Sequence, residues 1–370
     1  MITDRPSSAP RVSHRGRLVV GLWIAGLCAG TLAEALGAPL NVVTTIFPLY
    51  DWVRVVGGTN VQVTQLLPPG VEAHTYAPSP SDLRKIERAH LFVYIAPTLE
   101  PWAERLGQGR CRLWAAISAI SPTTWPAHAR SAGSVKPHHD RDAADLAQAS
   151  KAQRAAAERV REREHEHNRG RTEAEHAHDP TCDHDHSEGE DPHIWVDPLI
   201  AADVVRGLAR ELAQLDPEHR EDYSARAEDY VKQLLALHED FAAFVRSLRS
   251  RTILYAGHRA FDLFGARYGV EFVTPYRGFS PEVPPTPVAI ATLIERMRRE
   301  SIRVIFTEEI VEPRVARVLV EQTGARIERL HTLHNRTPEE VRRDETYLSL
   351  HRRNLAVLNA ALRPDASSSP

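Results

Sequence analysis

Residues 218–249 read EHREDYSARAEDYVKQLLALHEDFAAFVRSLR, and the spacing of their apolar positions decides the architecture. Tyr223, Ala227, Tyr230, Leu234, Leu237, Phe241, Phe244 and Leu248 recur every three or four residues, the period of one helix face. Roughly 30 residues at about 1.5 Å each reach about 45 Å. That is longer than one small domain needs, and it suits a helix spanning two lobes. The pattern begins after Asp216-Pro217, and the helical unit is taken as residues 216–249.

On both sides of it, strands alternate with short helices, the pattern of parallel α/β units. Upstream, residues 40–48, 61–67, 91–95 and 112–118 read as strands, with Pro48 ending the first. Ser79, Pro80 and Asp82 mark a helix start, and Val204, Val205, Leu208, Leu212 and Leu215 give helical spacing over 201–215. Downstream, 252–256, 270–273, 303–306 and 326–330 read as strands, and 261–268, 287–299, 313–323 and 347–362 as helices. The expected fold is α/β: two Rossmann-like lobes with parallel sheets, joined by one long rigid helix, with a site in the cleft between them. The lobes are drawn at 38–215 and 250–370. About two domains is also what 370 residues imply.

The N-terminus, 1–37, reads as a signal peptide. Arg5, Arg11, Arg15 and Arg17 precede an apolar run from Leu18 to Leu36, with small residues suited to cleavage at Ala33-Glu34-Ala35 or Ala35-Leu36-Gly37. Export to the periplasm is expected. Cys28 would leave with the signal; Cys111 and Cys182 remain, either paired or free. A net charge of −3 gives no electrostatic case for nucleic acid. Nineteen histidines against three cysteines make imidazole the main soft ligand, which suits zinc, copper, nickel or iron.

From about 128 to 190 the composition shifts. His138, His139, His165, His167, His176, His178, His184 and His186 lie among Asp, Glu and Arg with almost no apolar periodicity. Such a segment buries too little apolar surface to offset its ordering entropy. It is expected to be a disordered insertion in the first lobe and an auxiliary, weak metal-binding loop.

Immediately after it comes Asp191-Pro192-His193-Ile194-Trp195-Val196-Asp197-Pro198, a histidine on a stiff segment between two prolines. His74 and His258 each sit in a comparable loop where a strand ends. Histidines on separate rigid loops are how a metal site is built from distant parts of a chain. In these respects the chain resembles the metal-specific solute-binding proteins of bacterial ABC importers, the zinc and manganese receptors. The marks are Gly70-Val71-Glu72-Ala73-His74-Thr75-Tyr76 with Pro78, Pro80 and Asp82, the Asp191–Pro198 segment, His258-Arg259-Ala260-Phe261 with Tyr268-Gly269, and Gly278-Phe279-Ser280-Pro281-Glu282.

The resemblance implies that His74, His193 and His258 are metal ligands. It also implies a receptor that delivers its ion to an ABC permease in the inner membrane and is not an enzyme. A third imidazole favours Zn2+ over Mn2+, which prefers oxygen, and the histidine-rich insertion is a habit of zinc receptors. A fourth ligand is expected at His331, the position after the last strand; water, Glu72 and Glu308 are the alternatives, and His334 is read as facing solvent. Glu308, Asp197 and Glu282 are candidates for orienting the imidazoles. A monomer is expected. A manganese or iron receptor is the alternative within the family; a secreted zinc hydrolase or an adhesin are the alternatives outside it.

Overall fold

The computed structural model describes residues 1, 38–106, 109–126, 190–281, 283–310 and 314–362. Residues 2–37 of the expected signal peptide, the eight named histidines of the insertion, Cys182 and Glu282 lie outside these residues.

In the first lobe, β1 (Leu40–Thr44), β2 (Val61–Gln65), β3 (Leu91–Tyr94) and β4 (Arg112–Ala115) form one parallel sheet in the order β2-β1-β3-β4. β3 is buried along its whole length and β1 over Val42–Thr44, as expected where helices cover both faces of a parallel sheet. The first strand is shorter than the sequence suggests. Pro48 does not terminate a strand; it lies in the first turn of helix α1 (Phe47–Gly57), where its missing N–H costs nothing. Helix α2 (Pro80–Glu87) starts where expected. Ser79 Oγ accepts from the Asp82 N–H, and Asp82 Oδ2 accepts from the Ser79 N–H, a reciprocal capping box.

Helix α3 (Pro198–Leu215) leads through a short turn to helix α4 (Arg220–Ser247), whose 28 residues extend about 42 Å at ~1.5 Å each. Tyr223, Ala227, Tyr230, Leu234, Leu237, Phe241 and Phe244 form its buried stripe. Near its start, Arg226 donates to the carbonyls of Val56 and Gly57 in the first lobe at 2.7 and 3.1 Å. Near its end, the Phe241 ring meets that of Phe264 in the second lobe, with centroids 4.9 Å apart.

The second lobe contains β5 (Thr252–Leu254), α5 (Asp262–Tyr268), β6 (Glu271–Val273), α6 (Pro287–Glu300), β7 (Val304–Thr307), α7 (Arg314–Thr323) and β8 (Arg326–Arg329). β5 pairs with β6 and β7 with β8, all parallel. A parallel bridge between Tyr255 and Phe306, with the Ala256 N–H donating to the Phe306 carbonyl at 2.8 Å, joins the two pairs. The resulting order, β6-β5-β7-β8, repeats that of the first lobe. A short helix, α8 (Pro338–Arg342), which the sequence reading passed over, precedes the closing helix α9 (Tyr347–Leu362). α9 returns across both lobes: the Tyr347 N–H donates to Asp51 Oδ2 at 3.0 Å, and His351 packs on Phe241. Among the described residues no helix is long and apolar enough to cross a membrane.

Candidate metal centre

Loops at the carboxyl ends of the strands in both lobes converge, as ligand sites do in open α/β sheets. His74 comes from the loop after β2, His193 from the segment entering α3, and His258 from the end of β5. His74 Nε2 lies 3.1 Å from His193 Nε2, which lies 3.2 Å from His258 Nε2. His193 and His258 are fully buried. These three form the histidine cluster able to hold a metal ion among the described residues. Four donors at about 2.0–2.1 Å from a tetrahedral zinc stand roughly 3.3 Å apart, close to the spacing seen here.

Each histidine is held from behind by a carboxylate. The backbone N–H of His74 donates to Glu72 Oε1 at 3.2 Å, that of His193 to Asp191 Oδ1 at 2.9 Å, and that of His258 to Glu308 Oε1 at 2.8 Å. The same Asp191 and Glu308 oxygens lie 2.7 and 2.8 Å from the Nδ1 atoms of His193 and His258. A carboxylate oxygen accepts, so Nδ1 carries the proton and Nε2 keeps its lone pair for the cluster. Gly257 allows this approach, because a Cβ there would collide with Glu308 Oε1.

The electrostatics divide the three rings. Burial, with the neighbouring His193 and His258, pushes His74 down to about 2. Burial, with His258 and His334 nearby, holds His193 well below the usual imidazole range. Burial also disfavours a charge on His258, but the Glu308 hydrogen bond and negative charge outweigh it and raise that ring. Burial pushes the Asp191 carboxyl up to about 7, offset in part by the His193 N–H and Arg259. Burial acts upward on Glu72 as well, yet His334, His74 and His258 leave it below the usual carboxylate range.

The expectation for His331 is corrected. Its Nδ1 accepts from the Leu333 N–H at 2.9 Å, so the proton is on Nε2, which lies 3.2 Å from Glu340 Oε2. Both ring nitrogens are engaged away from the cluster, and no lone pair is left for a metal. His334 does not face solvent either; it is fully buried, with its ring centroid 6.5 Å from that of His258. Thr332 Oγ1 donates to Glu309 Oε1 at 2.7 Å, and therefore accepts from His334 Nδ1–H at 2.6 Å. The lone pair of His334 Nε2 is thereby turned toward Glu72 Oε2, 3.5 Å away, and both atoms are buried without a hydrogen-bond partner.

Asp197 does not orient an imidazole. It caps α3 through the Leu199 N–H at 2.9 Å and pairs with Arg267 of the second lobe at 2.7 Å. Glu308 and Glu72 do contact cluster histidines. Asp191 and Glu309 were not singled out from the sequence; an acid two residues before the histidine, at both Glu72 and Asp191, was the available signal.

The family model described as "ZnuA: Zinc-uptake complex component A periplasmic" matches residues 42–361. The high-affinity zinc uptake system protein ZnuA of Bacillus subtilis is 28% identical over 334 residues, 89% of this chain and 90% of that protein. The zinc-binding protein AdcA of Streptococcus pyogenes is 26% identical over 86% of this chain, which spans only 55% of that longer relative. Among solved structures, the Zn(II)-bound ZnuA-like domain of Streptococcus pneumoniae AdcA aligns with TM-score 0.64 at 22% identity, covering 88% of this chain and 100% of that one. At that identity it speaks for the two-lobe fold.

Proposed function

The chain belongs to the family of the periplasmic zinc-uptake component A, and we propose that it is a receptor that captures Zn2+ and passes it to an ABC-type membrane permease. The observation that carries this reading is the convergence of three Nε2 atoms at 3.1 and 3.2 Å, two of them with the lone pair turned inward by a carboxylate at Nδ1. Facing lone pairs repel unless a cation sits among them. Imidazole suits zinc, whereas Mn2+ and Mg2+ prefer oxygen.

His74, His193 and His258 are the proposed ligands. His334 Nε2 is the fourth donor best prepared for an incoming ion, with Glu72 Oε2 beside it as the competing one. The task is capture and release, so a site closed by four protein donors suits it better than one that keeps an open position for an activated water. Export and delivery at the membrane follow the family's printed role as a periplasmic uptake component, and the protein is proposed to act as a monomer.

Competition with a chromogenic zinc chelator tests the reading. Wild type should bind one Zn2+ per chain far more tightly than Mn2+, and His193→Ala should lose that binding by orders of magnitude. Equal affinity in wild type and His193→Ala would overturn it.

A further inference from the structure

The segment from His331 to Thr337 leaves β8 of the second lobe and packs against the first. The His334 carbonyl accepts from the Phe47 N–H at 3.2 Å, and the Arg336 carbonyl from the Gly70 N–H at 2.8 Å. The Arg336 guanidinium lies 4.4 Å over the Phe47 ring. At the centre stands Asn335, fully buried. Its Nδ2 donates to the carbonyls of Pro68 and Val71 at 2.7 and 2.8 Å, and its Oδ1 accepts from Gln65 Nε2 at 3.2 Å and the Arg336 N–H at 2.8 Å. Both donors and both lone pairs of the amide are in use. The turn it grips, Pro68–Val71, has Gly70 at φ 78° and runs directly into Glu72 and His74.

A second feature marks the same segment. Leu333, fully buried, has φ 70°. Non-glycine residues rarely adopt that conformation, and they keep it where their surroundings over-determine it, often at functional sites. Here it lies between His331, which is turned away from the cluster, and His334, which is turned toward it.

We propose that Asn335 is a positioning residue for metal capture: a second-lobe side chain that fixes the first-lobe loop carrying Glu72 and His74 before the ion arrives. This rests on the reading of the histidine cluster as a zinc site. A loop already held in place need not be ordered when metal binds, so its ordering entropy does not subtract from affinity. Aspartate has the shape of asparagine but offers no donor. It would leave the Val71 carbonyl unpaired and the Pro68 carbonyl with only the Val71 N–H at 3.2 Å, and so loosen the turn.

The test is chelator competition on the full chain, with Asn335→Asp introduced alone, with His74→Ala and with His258→Ala. Asn335→Asp alone should weaken zinc on the order of 10–100-fold, the usual cost of removing support behind a ligand. The loss should persist with His258→Ala and vanish with His74→Ala, because Asn335 acts through the His74 loop. Unchanged affinity, or an equal loss in both backgrounds, would show that Asn335 serves the fold in general. If Asn335→Asp does not fold, Gln65→Leu removes one bond of the same clamp and should give a smaller loss with the same dependence on background. If His74→Ala itself leaves zinc binding intact, the site reading fails and this role with it. If His74→Ala weakens binding and neither clamp variant does, only the positioning role fails.

Discussion

His334 Nε2 and Glu72 Oε2 face each other at 3.5 Å across the two lobes, buried and without hydrogen-bond partners, beside three converging imidazoles. Two acceptors left together in a buried place are costly, and a cation relieves both. X-ray absorption at the zinc edge should therefore count one imidazole fewer in His334→Ala than in wild type. His331→Ala should leave the count unchanged, since both of its ring nitrogens are committed to Leu333 and Glu340. The opposite pattern would restore His331 as the ligand.

Zinc affinity should fall as pH is lowered, and His258 should set where the fall begins. Zinc needs the lone pair on each ring. His74, pushed down to about 2, and His193, held well below its usual range, stay neutral across mildly acid solution. His258 is raised by Glu308 and so takes up a proton first as pH drops. Replacing Glu308 with Gln should move the onset of the fall to lower pH, while weakening binding at neutral pH by loosening the ring. An onset unmoved in Glu308→Gln would contradict this assignment.

Gly257→Ala should act on the metal without touching it. The added Cβ meets Glu308 Oε1, the oxygen that holds both the backbone and the ring of His258. A loss of zinc affinity on the order of 10–100-fold is expected, measured by the same competition assay. Wild-type affinity would mean that Glu308 moves aside without consequence.

The chain pattern made both sheets, the long helix and the three histidines legible, because period and strand-end placement are local properties. What it could not give depends on contacts between distant segments. Pro48 reads equally as the end of a strand or the first turn of a helix, and the Ile46 cap geometry decides it. His331 and His334 are chemically identical in the sequence; their roles separate through Leu333, Glu340 and Thr332, and only the folded chain shows which nitrogen each partner takes. Asp197 is a candidate for orienting an imidazole on the sequence alone, but it caps α3 and pairs with Arg267.

Glu100 should give the stability a pH dependence of its own. It is buried, accepts from the N–H groups of Ile95 and Ala96 at 3.1–3.2 Å and from Thr45 Oγ1, and burial pushes it up to about 7. The folded state then binds a proton more tightly than the unfolded state, so stability falls as pH rises from the ordinary glutamate range to about 7. Glu100→Gln mimics the protonated form and should flatten that part of the curve in thermal melts between pH 5 and 8. Parallel curves for the two proteins would exclude Glu100 as the source.

The two lobes should move little on loading. α4 contacts the first lobe through Arg226 and the second through Phe241, α9 crosses both, and the Asn335 clamp joins them again. Small-angle scattering with and without zinc should give nearly the same radius of gyration. A compaction of several ångströms would mean a hinge.

The most direct test of the central claim is a zinc titration against a competing chelator on a protein lacking residues 128–186, so that the histidines of the insertion cannot contribute. The shortened protein should still bind one Zn2+ tightly, and the same protein with His74, His193 and His258 all replaced by alanine should not. Tight binding that survives the triple replacement would place the zinc site elsewhere.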